Sequence, residues 1–329
     1  MWKNIEIPTG VIFYNKEKTI ECLGVGDYGK SNNIKADFLG ITNKIYDVKH
    51  KEVDLSEKYV IALSTQKGCM MNCTFCDVPK VTKNKRIDCS LEDLKEQFYT
   101  VINHFKVKHT KRLNLHFVRM GEPTFNSNVL VFAHYISIIF KNKDIKNIID
   151  ADIINPVVST MMPKYNKRLR EFLAKWLFIK NKIYNGSAGL QISMNLTDDQ
   201  ERNKIFSNNS LSIEEISNLM NDLLNKNGLI GRRIALNFAV TKGVDINPKI
   251  LVPLFDPKYY ITKITPYHLT QSTKDSGILK EINMKENIDY MYLLEERFKN
   301  EGYDCIVNIP SKEEEESRLT CGNALLSNE

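Results

Sequence analysis

The 329-residue chain reads as an α/β protein with a mainly parallel sheet. From Tyr59 onward, short apolar runs alternate with longer amphipathic stretches, giving about six strand–helix units. Gly, Pro, Asn and Ser punctuate the joins between them. The composition, 42% hydrophobic and 26% charged, supports a full-sized core and excludes a disordered chain.

Residues 1 to about 55 carry short mixed segments broken at Gly24, Gly26, Gly29 and Gly40, which read as a few strands and turns. Tyr59–Ser64 is a buried strand. Ser90 with Asp93 forms a capping-box pattern that opens a helix to about Phe105. Strands follow at Leu113–Met120, Ile153–Ser159, Gly189–Leu196, Ile234–Val240 and Tyr260–Ile264. Between them lie helices at Asn128–Phe140, Lys167–Phe178 and Ser212–Leu224, with a weak one after Pro248. A helix at Met284–Lys299 and a last strand at Cys305–Ile309 precede an acidic stretch, Glu313 to Glu316, and a tail. These segments suggest an N-terminal β-rich extension over 1–57, a core over 58–310 and a tail over 311–329.

Net charge of +6 and pI near 8.7 permit a polyanionic partner such as RNA without demanding one. No apolar run approaches the roughly 18 residues that span a membrane, and no signal-peptide pattern opens the chain, so neither a membrane nor a secreted setting is expected. A monomer is the simplest expectation.

Three of the seven cysteines, Cys69, Cys73 and Cys76, fall in a C-x3-C-x2-C loop directly after the Tyr59–Ser64 strand. Thiolates are the soft ligands that iron–sulfur clusters select. Three thiolates on a four-iron cluster leave one iron open to a substrate or cofactor. The competing explanations are zinc and a grouping of buried thiols, but a zinc ribbon pairs C-x2-C motifs and no second pair follows. An oxygen-sensitive centre of this kind fits a reducing cytoplasm. About 45 residues on, at another strand end, comes Met120-Gly121-Glu122-Pro123. Glycine permits close backbone approach, and the carboxylate can accept from an ammonium group.

The cysteine spacing, with Phe75 just before the last cysteine, resembles the radical S-adenosylmethionine (radical SAM) superfamily. That resemblance implies a partial (β/α)6 barrel, a 4Fe-4S cluster on Cys69, Cys73 and Cys76, and SAM on the open iron. Functional residues then gather at the C-terminal ends of the strands.

Collinear motifs narrow the likeness to the RlmN/Cfr family, which methylates an adenine of 23S rRNA and, for RlmN, of tRNA. They are Ser64-Thr65-Gln66-Lys67-Gly68-Cys69, Cys73-Thr74-Phe75-Cys76 and Met120-Gly121-Glu122-Pro123 with Asn126. Val158-Ser159-Thr160 with Pro163, Ile192-Ser193-Met194-Asn195 with Asp199 and Arg202, Pro266-Tyr267-His268 and Cys321-Gly322 complete the set. The resemblance implies that Gly121, Glu122, Ser159, Ser193, Met194, Asn195 and His268 line SAM. It implies that Cys321 accepts a methyl group from one SAM and passes it, as a carbon radical, to C2 or C8 of the adenine. An rRNA or tRNA substrate and a flavodoxin-type electron donor follow from the same likeness.

Three departures stand out. Ala62 occupies the position of the family's adduct-resolving cysteine, leaving Cys305 or Cys22 as substitutes, although Cys305 on its strand reads first as a buried thiol. Asn195 and His268 exchange the family's His and Asn. The family's helical N-terminal RNA-binding domain is missing, and Asp47 is the nearest candidate for its general base. A radical SAM enzyme of another reaction class, or a non-catalytic paralogue that binds cluster, SAM or RNA, is the alternative. Two basic groups, Lys80, Lys83, Lys85 and Arg86 beside the loop and Lys108, His109, Lys111 and Arg112 farther on, read as solvated surface. The first is also placed to steer RNA phosphates or an acidic reductant. His116, inside its strand, reads as a core histidine.

Overall fold

A computed structural model describes residues 2–7, 10–17, 19–26, 34–35, 55–82, 86–141, 149–268, 270–277 and 284–310. Asp47, Lys83, Lys85, the acidic stretch and Cys321 lie outside them.

One eleven-stranded sheet organises the chain. An antiparallel meander, β1 (Trp2–Ile7), β2 (Gly10–Asn15) and β3 (Glu21–Val25), forms one edge. It joins the parallel strands through β3 against β5 (Tyr59–Leu63), so the N-terminal extension continues the main sheet. The two-residue β4 (Ile34–Lys35) closes the far edge, antiparallel to the last strand. Next to β5 come β8 (His109–Phe117), β9 (Asp150–Thr160), β10 (Gly189–Ser193), β11 (Ile234–Val240), β12 (Tyr260–Pro266) and β13 (Cys305–Asn308), all mutually parallel. A small hairpin, β6 (Gln66–Lys67) with β7 (Ile87–Asp88), brackets the cysteine loop. This mixed α/β architecture is the expected class, and every strand expected from Tyr59 on is present.

The helices pack on one face. α1 (Val78–Thr82) follows the cysteine loop, and α2 (Leu91–Phe105) opens with the Ser90/Asp93 capping box. α2 buries Leu94, Phe98, Val101 and Ile102, the one-sided spacing of an amphipathic helix. α3 (Asn128–Lys141), α4 (Leu169–Phe178), α5 (Asp199–Ile205), α6 (Ile213–Asn227), α7 (Gln271–Asp275) and α8 (Met284–Asn300) follow. The helix expected after Pro248 is a single 3-10 turn, Pro248–Ile250, because Pro253 and Pro257 break the pattern. The helix α4 runs on as a π-turn, Ile179–Ile183, where buried Lys180 donates to the carbonyls of Gly186 and Ile230. None of the described helices is long and apolar enough to cross a membrane.

Alternation along the strands divides the sheet into two faces. Tyr59, Ile61 and Leu63 on β5, Leu113, Leu115 and Phe117 on β8, and Leu190 and Ile192 on β10 join the core beneath the helices. The opposite face carries Asn114, His116, Ser159, Gln191, Ser193, Asn237 and Lys263, which is too polar for a buried core. The charge of Lys263 on β12 reaches His116 on β8, although four strand steps separate them. The sheet therefore curls into an open barrel with this polar face inside.

Candidate active site

The ends of β5 and β8 are cross-tied before the cysteine loop begins. Gln97, buried on α2, accepts from the Ser64 amide at 2.8 Å and donates to the Ser64 carbonyl at 3.0 Å. The amides of Thr65 and Gln66 both donate to the Met120 carbonyl, at 2.7 and 3.1 Å. The carboxamide of Asn126 donates to the carbonyls of Thr65 and Cys89, both at 2.8 Å. A fully buried Glu21–Arg119 ion pair lies under the same junction. Backbone polar groups that leave a sheet inside the protein need such partners.

The cysteine loop crosses the C-terminal mouth of the barrel. Cys69 and Cys73 pack against an apolar shell made by Met71, Met161 and Phe206, with Phe75, Phe125 and Ile205 also on it. The sulfur of Cys73 touches the Met161 sulfur at 3.4 Å. Phe75 packs edge-on against Phe206 and Tyr267, with ring centroids 6.0 and 5.7 Å apart. The Thr74 amide donates to the Ile205 carbonyl at 2.9 Å, and Asn209 reaches the Met71 carbonyl at 2.9 Å. On the other flank the hydroxyls of Thr270 and Ser272 donate to the carbonyls of Phe75 and Cys76, at 2.9 and 3.2 Å. Asp77 accepts the Gln271 and Ser272 amides at 3.2 and 2.7 Å, which pins the loop to the start of α7.

Burial favours the neutral form of Cys69 and Cys73. Burial pushes Cys69 up to about 11, with the nearby Glu122 charge adding to the rise. Amides of Met71 and Gly121 hydrogen-bond to its sulfur and favour the thiolate. Cys73 is raised by burial and then by the charges of Cys76 and Cys69, so the three sulfurs share one electrostatic environment. This donor set fits an iron–sulfur cluster: three soft ligands, an apolar surround and amides directed at sulfur. Among the described residues, no three His, Cys, Asp or Glu are gathered as ligands of one metal ion. A cubane cluster does not require that, since each of its cysteines binds a different iron.

The other expected site residues divide into groups. Gly121 has φ of 101°, and a Cβ there would fall 2.6 Å from the Gln66 side chain and 2.7 Å from its backbone, so only glycine fits. Glu122 is buried and tied at both oxygens: one accepts from the Thr124 amide and hydroxyl at 3.1 and 2.7 Å, the other from the Met161 amide at 3.0 Å. Burial raises its pKa while these donors lower it. It thus joins the ends of β8 and β9 beside Cys69 and Cys73. Ser159 and Ser193 sit on the inner face, in register with Gln191 and Asn237 respectively. Asn195 adopts a left-handed conformation with φ of 60°. Its side chain accepts from the Ala239 amide at 3.2 Å and approaches the Tyr267 hydroxyl at 3.5 Å. His268 follows directly, and its carbonyl accepts from the Thr270 amide at 2.9 Å. The side chain of Met194 turns the other way, into the core, so only its backbone lies at the mouth.

Cys305 is buried, as its strand position implies, and one other expectation is corrected. Cys22 and Cys305, the substitutes considered for a resolving thiol, are both fully buried on the helical side of the sheet, away from the mouth. Their strand parity sends them there. His116 lies on the polar inner face, outside the apolar core to which it was assigned, because Leu115 and Phe117 take the core positions beside it. Lys80 pairs with Asp275 at 2.6 Å and Arg86 donates to Asn72 at 2.9 Å, so both brace the loop.

Motif reading passed over Met161, Phe206, Asp77, Thr270 and Ser272. Asp77, next to Cys76, offered the one visible signal.

No family model matches the sequence. Among solved structures, SuiB of Streptococcus suis bound to S-adenosylmethionine aligns at 15% identity over 77% of this chain, with a TM-score of 0.39. The chain spans only 47% of that protein's length. Methylornithine synthase (PylB) aligns at 15% identity over 75% of this chain and 69% of its own, TM-score 0.43. TYW1 with a lysine–pyruvate adduct bound aligns at 14% identity over 72% and 73%, TM-score 0.40. These likenesses are too slight to assign an activity.

Proposed function

We propose that this chain is a radical SAM enzyme. The observation that carries the reading is the gathering of Cys69, Cys73 and Cys76 at the mouth of a parallel barrel beside Glu122, with Cys69 and Cys73 packed on one apolar shell. A 4Fe-4S cluster held by Cys69, Cys73 and Cys76 would supply the electron for reductive cleavage of SAM. The chain's own residues bind and orient. Gly121 lets the backbone approach the cofactor, and Ser159, Ser193, Asn195 and His268 offer hydrogen-bond partners around the mouth. Phe75, Phe206 and Met161 keep water from the cluster side. A reducing cytoplasm and a flavodoxin-type donor suit such a site.

The finer reading, supported by the motif likeness alone, is methylation of an adenine carbon in rRNA or tRNA with Cys321 as methyl carrier. A second reading, a radical reaction of another class, draws support from the thiols: Cys22, Cys89 and Cys305 are all buried in the core, leaving no described thiol beyond the loop to resolve a covalent adduct. Intact-protein mass spectrometry separates the two. The anaerobically reconstituted chain is incubated with SAM and reductant, wild type beside Cys321→Ala. A methyl-sized gain lost in the variant supports the carrier role. 5′-Deoxyadenosine without that gain supports the second reading, and a fully loaded cluster that never cleaves SAM overturns the radical assignment.

A further inference from the structure

Neither cluster nor SAM accounts for Arg202 on α5, whose side chain is only 1% exposed. Every nitrogen of its guanidinium is engaged. Nε donates to the Met194 carbonyl at 3.1 Å, and Nη1 to Asp199 at 2.8 Å and the Leu211 carbonyl at 2.9 Å. Nη2 donates to the Ser210 hydroxyl at 3.1 Å, and the Phe206 ring lies 5.5 Å from the central carbon. These partners belong to two halves of the site. Met194 stands between Ser193 and Asn195 at the end of β10, and the amides of Met194 and Asn195 donate to the Asn237 carbonyl on β11, at 2.8 and 3.1 Å. Arg202 therefore holds this strand end from the other side. Ser210 leads to the cysteines: its hydroxyl donates to the Met161 carbonyl at 2.6 Å, and the Met161 sulfur touches Cys73. The turn after α5 is bonded to the cysteine loop itself. The Ile205 carbonyl accepts from the Thr74 amide and hydroxyl at 2.9 and 3.3 Å, and the Ser207 hydroxyl donates to the Asn72 carbonyl at 2.6 Å. Ser207, Asn208 and Asn72 are all left-handed, with φ of 51°, 56° and 54°, a conformation that side-chain-bearing residues keep only where the surroundings enforce it.

A buried guanidinium is a costly way to fill space. Asp199, whose side chain is 39% exposed, offsets only part of the desolvation, and apolar residues of similar volume would pack with less penalty. What no apolar residue can do is hold several acceptors in one plane. The rigid fork fixes the Met194 carbonyl, the Ser210 hydroxyl and the Phe206 ring relative to one another, and a lysine ammonium, a point charge on a flexible stem, does not.

We propose that Arg202 is a positioning residue that sets the spacing between the end of β10 and the cysteine loop, so that SAM and cluster meet in register. This role rests on the radical SAM reading. With the fork loosened, each half still binds its own partner, but the contact between SAM and cluster weakens, because small misplacements at a reacting centre carry large penalties.

The test is equilibrium dialysis of labelled SAM against the full chain, cluster-free and anaerobically reconstituted, with iron content read in parallel. The ratio of the two dissociation constants measures how strongly SAM and cluster favour each other. Wild type is compared with Arg202→Lys, Ser210→Ala and Leu223→Ala, the last a core truncation near the far end of α6 that controls for lost stability. Wild type should bind SAM about tenfold or more tightly once the cluster is loaded, and Arg202→Lys should lose most of that gain with cluster-free affinity kept. Ser210→Ala should lose a smaller part and Leu223→Ala none, since general destabilisation weakens both affinities together and leaves their ratio. A wild-type ratio in Arg202→Lys, or an equal fall in Leu223→Ala, overturns the positioning role. Should Arg202→Lys fail to fold, Ser210→Ala decides, and a wild-type ratio there overturns it. A ratio near one in wild type with iron bound sinks the radical SAM reading itself, and the positioning role with it.

Discussion

His116 shows how one residue reports on its surroundings. Burial, then the charges of Lys263, Arg232 and Lys58, lower its pKa from the usual 6.5 to about 3. The folded chain therefore keeps the imidazole neutral while the unfolded chain protonates it. Between about pH 6.5 and 3 the unfolded state holds the extra proton, so stability falls as pH drops through that window. His116→Gln removes this contribution, and its stability relative to wild type should rise on acidification by an amount on the order of 1–3 kcal/mol. Urea unfolding midpoints of both proteins across the window read it directly. Parallel pH dependences would show that His116 does not feel the cations opposite.

At the scale of elements, the cysteine loop is held on one flank by α7, which follows β12 far along the chain. Asp77 makes that link by accepting the Gln271 and Ser272 amides. Asp77→Ala should cost about 1 kcal/mol, as a lost helix cap does. Its larger effect should be on the loop, seen as faster loss of iron from the reconstituted protein. Ser212→Ala deletes a comparable cap on α6 whose bonds go to Glu215 and not to the loop, and should match the destabilisation without hastening iron loss. Equal iron loss in both would reduce Asp77 to a generic cap. The contrast also marks what could be read from sequence. Both capping boxes, Ser90 with Asp93 and Ser212 with Glu215, were legible in part because helix N-terminal chemistry is local. So were the strands from Tyr59 onward, whose apolar runs declare burial, and the cysteine trio, whose spacing is its own signal. The bond from Asp77 to α7, the Met161–Phe206 shell and the facing of His116 with Lys263 depend on how strands distant in sequence curl together, and no local pattern encodes that. Pro248 misled for the opposite reason: a helix-start residue was present, but the apolar repeat needed to prolong the turn was not.

For the whole molecule, the division of the sheet into two faces sets the chemistry of the cysteines. Strand parity sends Cys22 and Cys305 to the helical core, where Cys89 also lies, and all three are fully buried. Cys69, Cys73 and Cys76 occupy the mouth and are only partly covered. Burial raises Cys69 and Cys73 in the loop as it raises Cys22, Cys89 and Cys305 in the core, so access rather than thiolate content distinguishes the groups. Alkylation of the cluster-free native chain, followed by peptide mass spectrometry, should therefore modify the three loop cysteines well before the core three. Reconstitution with iron and sulfide should protect the loop set and leave the core set unchanged. Core labelling as fast as loop labelling would mean that the helical layer opens readily, and the two-faced architecture would lose its support. Loop labelling unaffected by reconstitution would instead remove the loop cysteines as cluster ligands while leaving the fold intact. The two outcomes test the fold and the site separately because the sheet itself lies between the two sets of thiols.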